Sequence, residues 1–263
     1  MTSVSELRTR HLVTTRTLGL IGSGMIGSAL AGLGVAAGLD VVVSNSRGPG
    51  TLADLVARLG DRARAATPEE AARVGDLVVA TIPLKHYAQL PAGALAGKTV
   101  IDTMNYYPER DGRLADLDTG GSTSCELVQR HLTGSRVVKA FNNIDFRRLS
   151  VSARPAGAPD RSALPIAGDD PAAKEEVARL LDVLGYDAVD IGTLADSWRS
   201  EPGTPVYVQP YLAERPKGLS QEEAGRWFFE TPGVPVPATR VEELVGQAVR
   251  LPAGAAAATL TQD

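Results

Sequence analysis

The sequence predicts an α/β protein: a doubly wound parallel sheet, a smaller C-terminal α/β unit and an extended proline-rich tail. Three observations carry that expectation. Short β-branched runs alternate with helical patterns from Thr17 onward, a glycine-rich turn joins the first run to the first helix, and prolines cluster after Ser200. Strand, helix, strand in this rhythm calls for right-handed crossovers, which set parallel strands side by side and cover both faces of the sheet.

Taken in order, TLGLIG from Thr17 is the first strand, and a helix follows over Ile26 to Ala37. DVVVSN supplies the next strand and Leu52 to Leu59 the next helix. DLVVATI (Asp76 to Ile82) and KTVIDTMN (Lys98 to Asn105) are further strands, as is SRVVKAFN (Ser135 to Asn142) after a helix over Glu126 to His131. ARPAGAPDR, Ala153 to Arg161, is built of small residues and prolines and marks a loop or unit edge. A boundary near there gives one domain over residues 17–150 and a smaller region over 151–263 that closes the cleft. In the second unit ALPIAG is a strand, Asp169 or Asp170 caps a helix with Pro171 in its first turn, Gly185 ends that helix after Leu184, and YDAVDIG is another strand. Beyond Ser200 the prolines predict extended, wrapping chain with a short helix over Ser220 to Phe229, then an amphipathic helix from Arg240 to Val249. Residues 1–16 read as a loose or partner-dependent arm and GAAAATLTQD as a frayed tail.

Composition narrows the function. With 263 residues, 43% of them apolar, the chain is long enough for a sizeable core. Its 27 basic and 31 acidic residues give a net charge of -4, which offers no electrostatic footprint for nucleic acid or an anionic membrane, so a small-molecule partner is expected. Cys125 is the single cysteine, which excludes an internal disulfide and a cysteine-based metal site. A cytoplasmic protein is expected, since the N-terminus lacks a signal-peptide core and no apolar run nears the roughly 20 residues of a membrane span. His11, His86 and His131 form no metal-binding pattern, and no metal is expected.

LGLIGSGMIG sets Gly22, Gly24 and Gly27 in a G-x-G-x-x-G, with Ser23, Met25 and Ile26 between them. The first glycine permits the tight turn, the second lets backbone approach a pyrophosphate, and the third brings helix and strand close. Free N–H groups at the helix start then meet the phosphate charge. This strand-turn-helix setting points to a Rossmann-type dinucleotide site. An acid about 20 residues further on would bind the ribose hydroxyls of NAD. Here that position holds Ser44, Asn45, Ser46 and Arg47, with no acid; hydroxyls, an amide and a guanidinium suit a 2′-phosphate instead, and NADP(H) is the expected cofactor.

With these segments in view, the sequence resembles the F420-dependent NADP oxidoreductase family, whose fold also occurs in the oxidoreductase domain of metalloreductases. TIPLKHY, VIDTMNYY, VVKAFNNI and AGDDPAAKEEVARLLDVLGYDAVDIGTL extend the resemblance over about Leu18 to Pro202. Tyr106 stands where the family commonly has proline, the second Asn of FNN replaces a common Thr, and the segment after Pro202 is longer than a minimal member needs. The resemblance implies hydride transfer between NADPH and a deazaflavin, coenzyme F420, with the protein chiefly positioning two rings. It also implies that Thr81, Ile82 and Pro83 flank the ribose-nicotinamide end. Asn105 and Asn142 or Asn143, on the same edge, are candidates to hold the nicotinamide amide or the second ring.

No Tyr-x-x-x-Lys pair, G-x-S-x-G or H-E-x-x-H is present, so the chemistry is assigned to the cofactor. Two alternatives accompany this reading: an NADPH-dependent reductase of a small biosynthetic C=N, C=C or C=O group, and a non-catalytic NADP(H) sensor. The former needs a proton donor, for which His86, Tyr87, Tyr106 and Tyr107 are candidates. Trp198 and Tyr207 are candidates for an aromatic wall against a flat substrate, and a homodimer is expected on general grounds.

Overall fold

The computed structural model describes residues 17–250. The predicted N-terminal arm, with His11, and the frayed tail lie outside them. β1 (Thr17–Ile21), α1 (Met25–Ala36) and β2 (Asp40–Ser44) open the fold. They are followed by α2 (Ala53–Leu59), β3 (Ala63–Ala66), α3 (Pro68–Val74), β4 (Leu77–Ala80), α4 (Ala92–Leu95) and β5 (Thr99–Asp102). Two one-turn helices, α5 (Pro108–Asp111) and α6 (Ala115–Asp118), precede α7 (Ser124–His131), β6 (Arg136–Lys139) and α8 (Phe146–Val151). The C-terminal part consists of β7 (Ala163–Gly168), α9 (Pro171–Leu184), β8 (Asp187–Asp190), α10 (Gln221–Glu230) and α11 (Ala238–Gly246).

The strands make one eight-stranded sheet in the order β3-β2-β1-β4-β5-β6-β7-β8. Pairing is parallel from β3 to β6. β7 joins antiparallel to β6 and β8 parallel to β7, so the C-terminal unit extends the same sheet. Strand order reverses between β1 and β4. In an open parallel sheet that reversal leaves a crevice at the carboxyl edge, because the crossovers leave toward opposite faces.

β4 and β5 are buried along their whole length, the pattern of strands covered on both faces. Alternate side chains feed two cores. Leu18, Leu20, Val41 and Val79 face a core that continues into Leu180, Leu181 and Val241 of the C-terminal part. Val78, Val100 and Val137 face the other, with Cys125 and Val128 of α7. α7 starts at a capping box, the Thr123 side chain accepting from Glu126 N–H while Glu126 accepts from Thr123 N–H. Asp170, not Asp169, caps α9 by accepting from Ala173 N–H, and Gly185 closes it in the left-handed conformation at φ 98°. Asp169 accepts instead from Leu194 N–H at 2.9 Å.

β3 is absent from the sequence reading. Its residues, ARAA, have low strand propensity, and only pairing with β2 makes them a strand. The predicted short helix after Ser220 is α10, capped by Ser220 and Glu223, and the chain between β8 and α10 bonds through Ser200, Val206 and Val208 to Asn142 and Asn143 just after β6.

Candidate functional site

The crevice begins at the turn after β1. Gly22 has φ 117° and donates its N–H to Ser44 O at 3.0 Å. A Cβ there would lie 2.2 Å from Thr81 O, and one at Gly27 would lie 2.4 Å from Gly22 O. Those two glycines are therefore required by the turn itself. Gly24 differs: it is exposed and a Cβ would meet nothing within 4 Å. Gly24 also stands at the N-cap of α1, and no side chain caps the first N–H groups of that helix. Met25 points outward at 67% exposure, whereas Ile26 packs partly on the core.

At the tip of β2 the four expected residues separate. Ser44 is fully buried and its hydroxyl donates to Leu20 O at 2.7 Å. That corrects its reading as a phosphate ligand: the last residue of a central strand turns its side chain into the sheet, and its hydroxyl is consumed there. Asn45 organises the loop instead. Its Oδ1 accepts from Arg47 N–H at 2.9 Å, and its Nδ2 donates to Thr51 Oγ1 at 3.0 Å and to Ser23 Oγ at 3.3 Å. Asn45 thus ties the loop after β2 to the glycine turn. Ser46 and Arg47 are exposed, and the Arg47 guanidinium makes no hydrogen bond or ion pair among the described residues. Thr51 escaped the sequence reading, although Asn45 followed by Gly48-Pro49 is a turn signature that implies a nearby partner.

Thr81 continues β4 by donating its N–H to Ile21 O at 2.9 Å, and its methyl would touch any side chain at Gly27. Ile82 is half-buried and Pro83 exposed, leading into a 3-10 turn over Leu84–Gln89. His86, on that turn, pairs its Nδ1 with Gln89 Nε2 at 3.2 Å, a contact within one helical turn. Tyr106 lies elsewhere. Its hydroxyl accepts from Leu114 N–H at 2.9 Å and meets Asp118 Oδ1 at 2.9 Å and Gly112 O at 3.1 Å. Burial, together with Asp118, pushes its pKa up, against the Leu114 bond. That corrects its candidacy as a proton donor: its hydroxyl is the hub of the loop carrying α5 and α6.

Asn105 and Asn142 bond each other across the edge, Asn105 Nδ2 donating to Asn142 O at 2.8 Å and Asn142 Nδ2 to Asn105 Oδ1 at 3.1 Å. Asn142 is 4% exposed and also donates to Ser200 O at 2.8 Å, so its amide fastens chain to chain; this corrects its reading as a cofactor ligand. Asn143 is wholly buried and donates to Val206 O and Tyr211 Oη. Asn105 is half-buried. The guanidinium groups of Arg199 and Arg250 lie 4.7 and 5.8 Å from the Trp198 ring centroid, and Tyr207 meets Tyr107 hydroxyl to hydroxyl.

Beneath the edge sits a buried ion pair that sequence reasoning missed. Lys139 Nζ, 1% exposed, contacts Asp102 Oδ2 at 3.2 Å, donates to Ser124 Oγ at 3.0 Å and is bonded to Met104 O. Burial pulls the Lys139 ammonium down, but Asp102 and Glu201 outweigh it and hold its pKa above the ordinary lysine value. The neighbouring Cys125 thiol is pushed well up, by burial first and then by Asp102, so it is a neutral core group. The pair locks the ends of β5 and β6 in register.

Among the described residues no three His, Cys, Asp or Glu side chains gather as a metal site, and no helix is long and apolar enough to cross a membrane. The model of the family described as NADP oxidoreductase, coenzyme F420-dependent, matches residues 17–106, from β1 to Tyr106. Metalloreductase STEAP3 of Rattus norvegicus is 31% identical over 182 residues, 68% of this chain and 34% of that protein. The Escherichia coli protein YjhV is 37% identical over 79 residues, 30% of this chain and 54% of that one. The chain thus spans a third and about half the length of these curated relatives. The solved structure of hypothetical protein SMa0349 from Sinorhizobium meliloti superposes with a TM-score of 0.66 at 30% identity, covering 79% of this chain and 100% of that one. A candidate F420-dependent NADP-reductase from Arthrobacter sp. FB24 gives 0.60 at 26% identity, covering 70% and 87%. The glycine turn and the carboxyl ends of β1, β2, β4 and β5 lie within residues 17–106, and that part of the chain belongs to the family of coenzyme F420-dependent NADP oxidoreductases.

Proposed function

We propose that the protein is an oxidoreductase that binds NADP(H) in the crevice between β1 and β4 and exchanges a hydride with coenzyme F420 or a similarly flat acceptor. One observation carries this reading. The glycine turn has open space at Gly24, uncapped helix N–H groups beside it, and the unengaged Arg47 guanidinium on a loop that Asn45 ties to the same turn. A dinucleotide phosphate fits that arrangement. The open Gly24 leaves room for a pyrophosphate at the start of α1, and Ser46 and Arg47 would take the 2′-phosphate. Thr81, Ile82 and Asn105 would border the nicotinamide, the ring whose C4 supplies or receives the hydride when the cofactor is bound. The protein's part is to hold two rings in contact and to keep water out; in this reading residues 17–150 hold the cofactor and the C-terminal part closes the crevice. The expected cytoplasmic homodimer accompanies this proposal, and light scattering of the purified protein checks the dimer.

The test is anaerobic NADPH oxidation followed at 340 nm with F420, and then with a panel of imines, enones and ketones. Turnover with F420 supports the full reading. Turnover only with a small substrate moves the acceptor assignment, and tight NADPH binding with no oxidation under any condition overturns the enzyme in favour of a sensor.

A further inference from the structure

Where β5 and β6 end, a distant part of the chain is fastened over the carboxyl edge. Val208 N–H donates to Asn143 O at 2.8 Å, Asn143 Nδ2 donates to Val206 O at 3.1 Å, and Asn142 Nδ2 donates to Ser200 O at 2.8 Å. This fastening is strained. Phe141 and Val208, at φ 60° and 56°, are the only non-glycine residues with positive φ among the described residues, and both flank this junction. A β-branched or bulky side chain rarely adopts that conformation, and such outliers persist where the surroundings impose them, most often at functional sites.

What the strained junction delivers is Tyr207. Its hydroxyl meets that of Tyr107, which stands two residues after Asn105 and is half-buried. Arg110 lies over the Tyr107 ring, 4.8 Å from its centroid, and donates to Asn105 O at 2.8 Å. Two hydroxyls carry two protons, and only one is used between them. The pair therefore keeps one O–H to donate elsewhere. Burial, and then Tyr107 beside it, pushes the Tyr207 pKa far up, so the Tyr207 hydroxyl keeps its proton. Unlike Tyr106 and Asn142, whose polar groups are taken up within the fold, this pair has hydrogen-bonding capacity left on the half of the edge where the nicotinamide end of a dinucleotide would lie.

We propose that the Tyr107–Tyr207 pair is the polar anchor of the hydride acceptor, donating to a carbonyl or imide oxygen on the rim of a flat heteroaromatic ring and so selecting the acceptor. The proposal rests on the oxidoreductase reading above. It also accounts for the long proline-rich segment after Pro202, which carries the second hydroxyl to an edge that belongs to residues far earlier in the chain.

The experiment compares wild type with Tyr107→Phe and Tyr207→Phe, measuring the NADPH dissociation constant, the melting temperature and steady-state kinetics with F420. Tyr107, half-exposed, is the first variant because it loses little packing. The expected result is an unchanged NADPH dissociation constant, a KM for F420 raised about fivefold by the loss of one neutral hydrogen bond, and little change in kcat. The double variant should cost less than the two singles combined, since the hydroxyls act as one unit. Wild-type KM in both single variants overturns the inference while leaving the oxidoreductase reading intact. So does a KM that rises only in step with weaker NADPH binding or a lower melting temperature. A wild-type enzyme that oxidises no NADPH overturns both.

Discussion

Single residues in the crevice divide into those the turn needs and those a ligand would need. Gly22 and Gly27 have no room for a methyl group, and Gly22 also has φ 117°. Gly22→Ala or Gly27→Ala is therefore expected to lower the melting temperature measurably whether or not cofactor is present. Gly24→Ala should fold and melt like wild type without ligand, because its Cβ would point into open space. In the NADP(H) complex that space would hold phosphate, so the same change should weaken NADPH binding at least about tenfold, roughly 1.4 kcal/mol. Unchanged NADPH affinity in Gly24→Ala, measured by fluorescence titration, removes the pyrophosphate from the turn. Arg47→Ala addresses the cofactor's other end. Loss of a charged hydrogen bond should cost NADPH roughly 1.5 to 3 kcal/mol while leaving NADH nearly unaffected; equal losses for both would place the 2′-phosphate elsewhere.

At the scale of elements, most of the strands and the glycine turn were legible because β-branched runs and the G-x-G-x-x-G carry local signals, whereas the strand order that places the turn at a switch point was not. What was not legible depended on partners distant in sequence. β3 is a strand because β2 lies beside it, and Ser44 is a sheet residue because Leu20 O lies 2.7 Å from its hydroxyl. Nothing near Asp102 in the sequence announces Lys139, yet the two form a buried pair joining β5 to β6. Lys139→Met would leave the Asp102 carboxylate buried without its cation, and roughly 3 to 5 kcal/mol of stability should be lost in urea melts. Asp102→Asn with Lys139→Met should recover part of that loss, because no unpaired charge remains. The pH dependence has a definite sign. With its folded pKa above the ordinary 10.5, Lys139 contributes fully below that value, and the contribution fades only as pH climbs through the raised folded value. Melts between neutral and moderately alkaline pH should therefore show no step from this pair.

For the whole molecule, the antiparallel join of β7 to β6 determines how the two parts respond to ligand. A C-terminal unit with its own core would melt by itself. Here Leu180, Leu181 and Val241 share a core with Leu18, Leu20 and Val79, and Val206 and Tyr211 of the wrapping segment belong to it as well. A shared core makes unfolding of one part expose apolar surface of the other, which couples them. Calorimetry should then show a single transition. Ligand that binds only the folded state at 100 times its dissociation constant stabilises by about 2.7 kcal/mol. At about 2 to 4 °C per kcal/mol for a chain of this size, NADPH should raise that one midpoint by roughly 5 to 10 °C. NADH at the same concentration should raise it far less, because the Arg47 contact would be lost. Two transitions, with only the earlier or the later moved by NADPH, would mean that the C-terminal part is not coupled to the cofactor site. In that case Val208 is the place to look: relief of its strained φ by Val208→Gly should then shift the ligand-insensitive transition and leave the NADPH-sensitive one in place.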